Sequence, residues 1–207
     1  MSAVQQILAQ KIIAIVRLDD YARAVKVAQA LVAGGISVLE FTLTGKGAIE
    51  AISATRQMLG NEICVGVGTV LQPDQAIAAI DAGAQFVVTP ALRKRVISAC
   101  INRNTPIVSG GFTPTELLEA YEAGSELVKL FPARSGGTQY VKDVLAPLPF
   151  LKLVPTGGVS ANDAGDYLAA GAVAVGIGGQ LVSSKAVMAG AFNQITTVAL
   201  ACTTAVQ

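Results

Sequence analysis

The sequence predicts a single α/β domain over residues 1–207, a compact (β/α)8 TIM barrel with an N-terminal helix. Three observations carry this expectation. Eight short apolar runs rich in β-branched residues alternate with longer segments at helical spacing. A weak repeat closes the helical segments: VAGG at 32–35, DAGA at 81–84, EAGS at 122–125 and AAGA at 169–172 each stand just before a strand. Glycine there fits the left-handed residue that ends a helix. Finally, the 207-residue length suits one barrel, and no linker or low-complexity stretch divides it. A doubly wound open sheet is the competing architecture.

The strands are expected at 11–17 (KIIAIVR), 36–43 (ISVLEFTL), 63–69 (ICVGVGT), 85–89 (QFVVT), 105–109 (TPIVS), 126–131 (ELVKLF), 151–156 (LKLVPT) and 172–178 (AVAVGIG). Their near-continuous apolar character is that of parallel strands covered on both faces. Between them lie helical stretches such as DDYARAVKVAQALVAGG. TPTELLEAYEAG opens with Thr113 and carries Glu116 three residues on, a capping box. The end of the chain, GAFNQITTVALACTTAVQ, reads as a terminal helix with a frayed tail.

Composition narrows the function. Hydrophobic residues make up 52% and charged residues 14%, enough for a large core. Fifteen basic residues face fourteen acidic ones with no strongly basic segment, so no nucleic-acid partner is expected. No apolar run reaches the roughly 18 residues that span a bilayer, and MSAVQQILAQK lacks a basic segment followed by a long apolar one, so no signal peptide is expected. The expectation is a soluble cytoplasmic protein without a membrane partner. Cys64, Cys100 and Cys202 are far apart and odd in number, which suits free thiols in a reducing compartment. The chain has no histidine. That excludes Ser-His-Asp and Cys-His machinery and any His-ligated metal. Acid–base work then falls to a carboxylate, lysine, tyrosine or water.

In a barrel, chemistry belongs at the C-terminal ends of the strands. Polar residues and glycines gather there: Arg17, Glu40 with Thr42 and Thr44, Thr69, Thr89 with Pro90, Ser109, Lys129, Thr156 to Gly158, and Gly176 to Gly179. Lys129 stands inside the apolar run SELVKLFPA, two residues before Phe131. A buried ammonium without a partner costs several kcal/mol. It is therefore either a structural lysine paired with an acid or an amine of lowered pKa that attacks a carbonyl. Glu40, in SVLEFTLT, is either the partner of such a cation or a proton shuttle with a raised pKa. Arg17 is either a surface arginine held by Asp19 or Asp20, or a clamp on a substrate carboxylate. The pairs Gly157–Gly158 and Gly178–Gly179 follow the seventh and eighth strands, where barrels frequently bind phosphate through backbone N–H groups.

IIAIVR, LVAGGISVLEFTLT, VGVGTVL, AGAQFVVTPAL, ELVKLFPA and LVPTGGVSANDAGDYLAAGAVAVGIGGQLV occur in order over about residues 10–185. In these segments the chain resembles the 2-keto-3-deoxy-6-phosphogluconate aldolase / 4-hydroxy-2-oxoglutarate aldolase family. The resemblance implies a metal-independent class I aldolase that needs no cofactor and acts on a small-molecule 2-keto acid. It implies Lys129 as Schiff-base former and Glu40 as proton shuttle. The substrate-binding set it implies comprises Arg17, Thr44, Thr69, Pro90, Phe131, Thr156, Gly157, Gly158, Gly178 and Gly179. It also implies a homotrimer. Three departures stand out. Thr44 occupies the place of an arginine found in many members, which leaves Arg17 to hold the carboxylate. Gly179 replaces a serine of the phosphate loop. SGGF at 109–112 replaces the usual PGxx, so Ser109 and Phe112 are expected to reshape the aldehyde side of the pocket.

Overall fold

A computed structural model describes residues 1–207. The short helix α1 (Ala3–Gln10) precedes eight strands: β1 (Ile12–Val16), β2 (Val38–Thr42), β3 (Cys64–Gly68), β4 (Phe86–Val88), β5 (Ile107–Gly111), β6 (Leu127–Leu130), β7 (Leu153–Pro155) and β8 (Val175–Ile177). Helices α2 (Ala24–Ala33) to α6 (Pro114–Glu122), α7 (Gly137–Leu145) and α8 (Ala164–Ala169) lie between them; α9 (Ser184–Ala189) and α10 (Phe192–Ala205) follow β8. Every strand pairing is parallel and each strand pairs with its sequence neighbours, with β1 also paired to β8. A bridge between Thr156 and Gly176, with the Val173 N–H donating to Leu153 O at 3.0 Å, joins β7 to β8. The sheet is therefore a barrel, as the sequence predicts, and not an open sheet.

The repeat that signalled the helix ends has its expected cause. Gly35, Gly83, Gly124 and Gly171 all have φ between +84° and +107°, where a Cβ is unfavourable. Thr113 caps α6 reciprocally with Glu116. The C-terminal segment is more ordered than its sequence suggests: α10 is helical to Ala205 and buries Ile195, Ala199 and Cys202. Gly34 lets it approach α2, since a Cβ there would meet the methyl of Ala199. Lys11 Nζ then fastens the chain end by donating to Val206 O at 3.0 Å.

Strand residues alternate between two cores. One set, including Val65, Val67, Val128 and Leu130, packs outward against the helices. The other, including Val38, Cys64, Phe86, Val108, Leu127 and Val154, fills the barrel together with Ala3, Val4 and Ile7 of α1. The helix thus stoppers the N-terminal end of the barrel and leaves the opposite end for a site. Several inward positions there carry no side chain. A Cβ at Gly66 would strike the Phe86 ring, one at Gly68 the Glu40 carboxyl, and one at Gly176 the Thr156 hydroxyl. No helix is long and apolar enough to cross a membrane.

Ile7 is fully buried at the centre of the stopper. Ile7→Ala leaves a cavity between α1 and the barrel and is expected to cost about 2–5 kcal/mol. Urea unfolding with an unchanged slope would measure it; a loss below about 1 kcal/mol would mean that α1 is only loosely seated.

Candidate active site

Lys129 lies on β6 between Gly110 of β5 and Val154 of β7. It points inward, in alternation with the outward Val128 and Leu130. It is 6% exposed, and its Nζ sits 5.2 Å from the centre of the Phe131 ring. It has no ion-pair partner. The three ion pairs, Lys94–Glu119, Arg103–Asp81 and Lys152–Glu126, all join partly exposed side chains at the surface. Burial pushes the Lys129 amine below the ordinary lysine range; Glu40 opposes this and Arg17 adds to it. The structural alternative, a lysine neutralised by a touching acid, is therefore not what the fold contains.

Glu40 projects inward from β2 and is 1% exposed, and its Oε1 is buried without a hydrogen-bond partner. Its carboxyl occupies the space that Gly68 leaves on the adjacent strand. Burial raises its pKa, and the charges of Lys129 and Arg17 only partly offset that. Both buried groups are thus pushed toward their neutral forms by desolvation while each favours the charged form of the other. Such opposed shifts in a cleft are typical of a reacting pair.

Arg17 leaves the end of β1 exposed and free of both neighbouring acids. Asp20 instead accepts from the Ala22 N–H at 2.8 Å, and no ion pair involves Arg17. The ends of β1 and β2 are tied by a residue that sequence reasoning missed. The Tyr21 oxygen lies 2.7 Å from Val16 O and 2.8 Å from Thr42 O, and it accepts from the Thr42 N–H at 3.0 Å. This buried knot fixes the two strand ends from which Arg17 and Glu40 project. A tyrosine in DDYARA carries no sequence signal of that role.

A cavity of about 580 Å³ opens at this end of the barrel. Of the residues expected in the site, Arg17, Lys129, Phe131, Thr156, Gly157, Gly158, Gly178 and Gly179 line it. Arg134, Gln180 and Lys185 also line it and were not foreseen. Gly157 and Gly158 turn with φ of +93° and +98°, which brings the backbone after β7 to the cavity wall without side chains. At Gly179 a Cβ would meet nothing within 4 Å, so the space is present and only the hydroxyl is missing. Glu40 is buried and is not among the residues that line it. Thr44, Thr69 and Pro90 lie outside it. Thr44 is exposed, with its hydroxyl 2.8 Å from that of Thr42. Thr69 holds a left-handed φ of +59° just beyond β3, a strained conformation for a β-branched residue of the kind that clusters at functional sites.

Ser109 and Phe112 do not reshape the cavity. Ser109 is fully buried with its hydroxyl 3.3 Å from that of Thr89, and Phe112 stacks on Tyr140 with centroids 5.1 Å apart. Their departure from the family's usual residues is absorbed by packing outside the barrel. No three Cys, Asp or Glu side chains come together as a metal site.

The family model described as KDPG and KHG aldolase matches residues 4–198. The 2-dehydro-3-deoxy-phosphogluconate aldolase of Treponema pallidum is 38% identical over 187 residues, covering 90% of this chain and 89% of the relative. The KHG/KDPG aldolase of Escherichia coli K12 is 35% identical over 189 residues, covering 91% and 88%. The KDPG aldolase of Legionella pneumophila, solved with pyruvate captured as a covalent carbinolamine intermediate, superposes with a TM-score of 0.90 at 29% identity. That match covers 98% of each chain.

The raised pKa of Glu40 has a consequence for stability. Between the ordinary carboxylate value and the raised one, the folded state binds more protons than the unfolded chain. The contribution of Glu40 is therefore most favourable below the ordinary value and is lost as pH rises through the raised one. Glu40→Gln is expected to be more stable than the parent at neutral and alkaline pH, with the difference closing near about pH 4. Denaturant unfolding across that range checks it; a difference independent of pH would show that burial does not control the group.

Proposed function

The chain belongs to the KDPG and KHG aldolase family and is a carbon–carbon lyase, and we propose that it cleaves 2-keto-3-deoxy-6-phosphogluconate through a Schiff base on Lys129. The observation that carries this reading is the buried, unpaired amine of Lys129 facing a cavity, with the carboxyl of Glu40 in its field. A lysine held low in pKa is a nucleophile near neutral pH. The Legionella relative's captured pyruvate carbinolamine supports the same chemistry by analogy.

In this mechanism the neutral amine of Lys129 attacks the C2 carbonyl and gives a carbinolamine. Loss of water leaves a protonated imine. Glu40 takes the proton of the C4 hydroxyl through a water as the C3–C4 bond breaks. The electron pair of that bond moves into the imine, forming the enamine of pyruvate and releasing glyceraldehyde 3-phosphate. Glu40 returns a proton to C3, and hydrolysis of the imine frees pyruvate and Lys129. Arg17 holds the carboxylate of the keto acid, and the N–H groups of the Gly157–Gly158 turn receive the phosphate. Phe131 and Thr156 complete the wall around the keto acid, with Gly178 and Gly179 on the phosphate side. The same machinery serves two alternative substrates, 4-hydroxy-2-oxoglutarate and 2-keto-3-deoxy-6-phosphogalactonate. The first is favoured by the KHG/KDPG name of the E. coli relative. The second is favoured by a KDPGal structure that superposes with a TM-score of 0.87 at 28% identity. A homotrimer is proposed for the assembly, on the family resemblance.

Incubation with pyruvate followed by borohydride is expected to add one reduced pyruvyl group at Lys129, read by intact mass and peptide mapping, and to add none in Lys129→Arg. An unmodified parent enzyme would sink the Schiff-base reading. Glu40→Gln is expected to keep the adduct and to lower kcat by about 10²–10⁴-fold. Arg17→Ala is expected to raise the pyruvate concentration needed for half-maximal trapping by about tenfold or more, the loss of a charge-assisted clamp. Unchanged trapping would remove Arg17 from the carboxylate site.

A further inference from the structure

The cavity contains four basic residues, Arg17, Lys129, Arg134 and Lys185, and no acidic one. Two of them belong to the keto-acid end: the charge of Arg17 acts on both Glu40 and Lys129. Arg134 lies instead beside the Gly157–Gly158 turn. It follows β6 in the single turn Ala133–Ser135, and its place is fixed by the backbone. The Ala133 N–H donates to Thr156 O at 2.7 Å, and the Arg134 N–H donates to Gly157 O at 3.0 Å. The aliphatic stem of Arg134 then lies over Gly158, where a Cβ would meet its methylenes. Lys185, in the first turn of α9, lines the same cavity. Neither side chain has an ion-pair or hydrogen-bond partner in the protein.

We propose that Arg134 is a specificity-determining residue, whose guanidinium selects substrates that carry a terminal phosphate. A planar guanidinium binds a phosphate in two places at once, and no protein acid competes for it here. The stem packs against Gly158 at the cavity wall. Any side chain at position 158 would displace it, in addition to straining a backbone with φ of +98°. That selection acts through charge. It weakens with ionic strength and favours the dianion. The inference rests on the keto-acid aldolase reading of the same cavity.

The test compares 2-keto-3-deoxy-6-phosphogluconate with 2-keto-3-deoxygluconate, the same acid without its phosphate, in the parent, Arg134→Gln and Arg134→Lys. Arg134→Gln is expected to lower kcat/KM for the phosphorylated acid between about 10- and 100-fold, mostly through KM, as for loss of one charge-assisted contact. It is expected to leave the unphosphorylated acid within about twofold, and Arg134→Lys is expected to restore part of the loss. Equal losses on both acids would make Arg134 a structural residue, and no loss on either would place the phosphate elsewhere; each overturns the proposal. Borohydride trapping of pyruvate in Arg134→Gln keeps the two readings apart. Trapping at the parent level with unchanged selectivity defeats this inference alone, whereas no trapping in the parent defeats the aldolase reading beneath it.

Discussion

The site depends on room inside a barrel that is otherwise filled. At the stoppered end the inward positions carry Val38, Cys64, Phe86 and Leu127, packed against α1. Toward the open end, Gly66, Gly68 and Gly176 take inward positions, and each omits a side chain where another group must sit. Gly68 is the sharpest case, because the carboxyl of Glu40 lies where its Cβ would be. Interiors are close-packed, so a group as large as a carboxyl is admitted only where the neighbouring strand gives up volume. The glycines therefore determine where the charged side chains can be held.

Holding them there is unfavourable for the fold. An amine and a carboxyl are both withdrawn from water and do not touch, so neither recovers its desolvation through a hydrogen-bonded ion pair. Their mutual field and that of Arg17 return only part of it. The surrounding scaffold is built to tolerate this. Outward strand residues pack against the helix layer, and the Tyr21 hydroxyl locks the ends of β1 and β2. Strain at Thr69 sits at the same rim. Rigid surroundings keep the two groups poised, where a softer barrel would let them relax toward solvent or toward each other.

Much of this was legible in the sequence, for identifiable reasons. Parallel strands buried on both faces read as unbroken apolar runs, so all eight could be located. The four left-handed glycines marked helix ends because no other residue is comfortable there. Lys129 and Glu40 stood out because charges in such runs contradict their surroundings. Other features were not legible because they are relations between distant strands. Gly68 makes space for Glu40 across a register that no local pattern encodes. Tyr21 acts through backbone atoms of two strands. Ser109 is the middle residue of β5 and not its end, because the strand runs on to Gly111, and alternation within it turns Ser109 outward. Arg134 follows the lysine by five residues, and its packing against Gly158 exists only because β7 brings that turn to it.

The cavity wall is assembled from β6, β7, β8 and the end of β1, while Glu40 enters from β2. In chain order these are the first two strands and the last three, and they meet only where β8 pairs with β1. The seam that closes the barrel is therefore also the seam of the site. During synthesis the amino-terminal strands must wait, folded or not, for partners about three-quarters of the chain away. A nascent chain released before β8 carries Lys129 and Glu40 but cannot enclose a chamber around them. Such long-range closure slows folding. In return, the cavity is complete only once the whole barrel has closed.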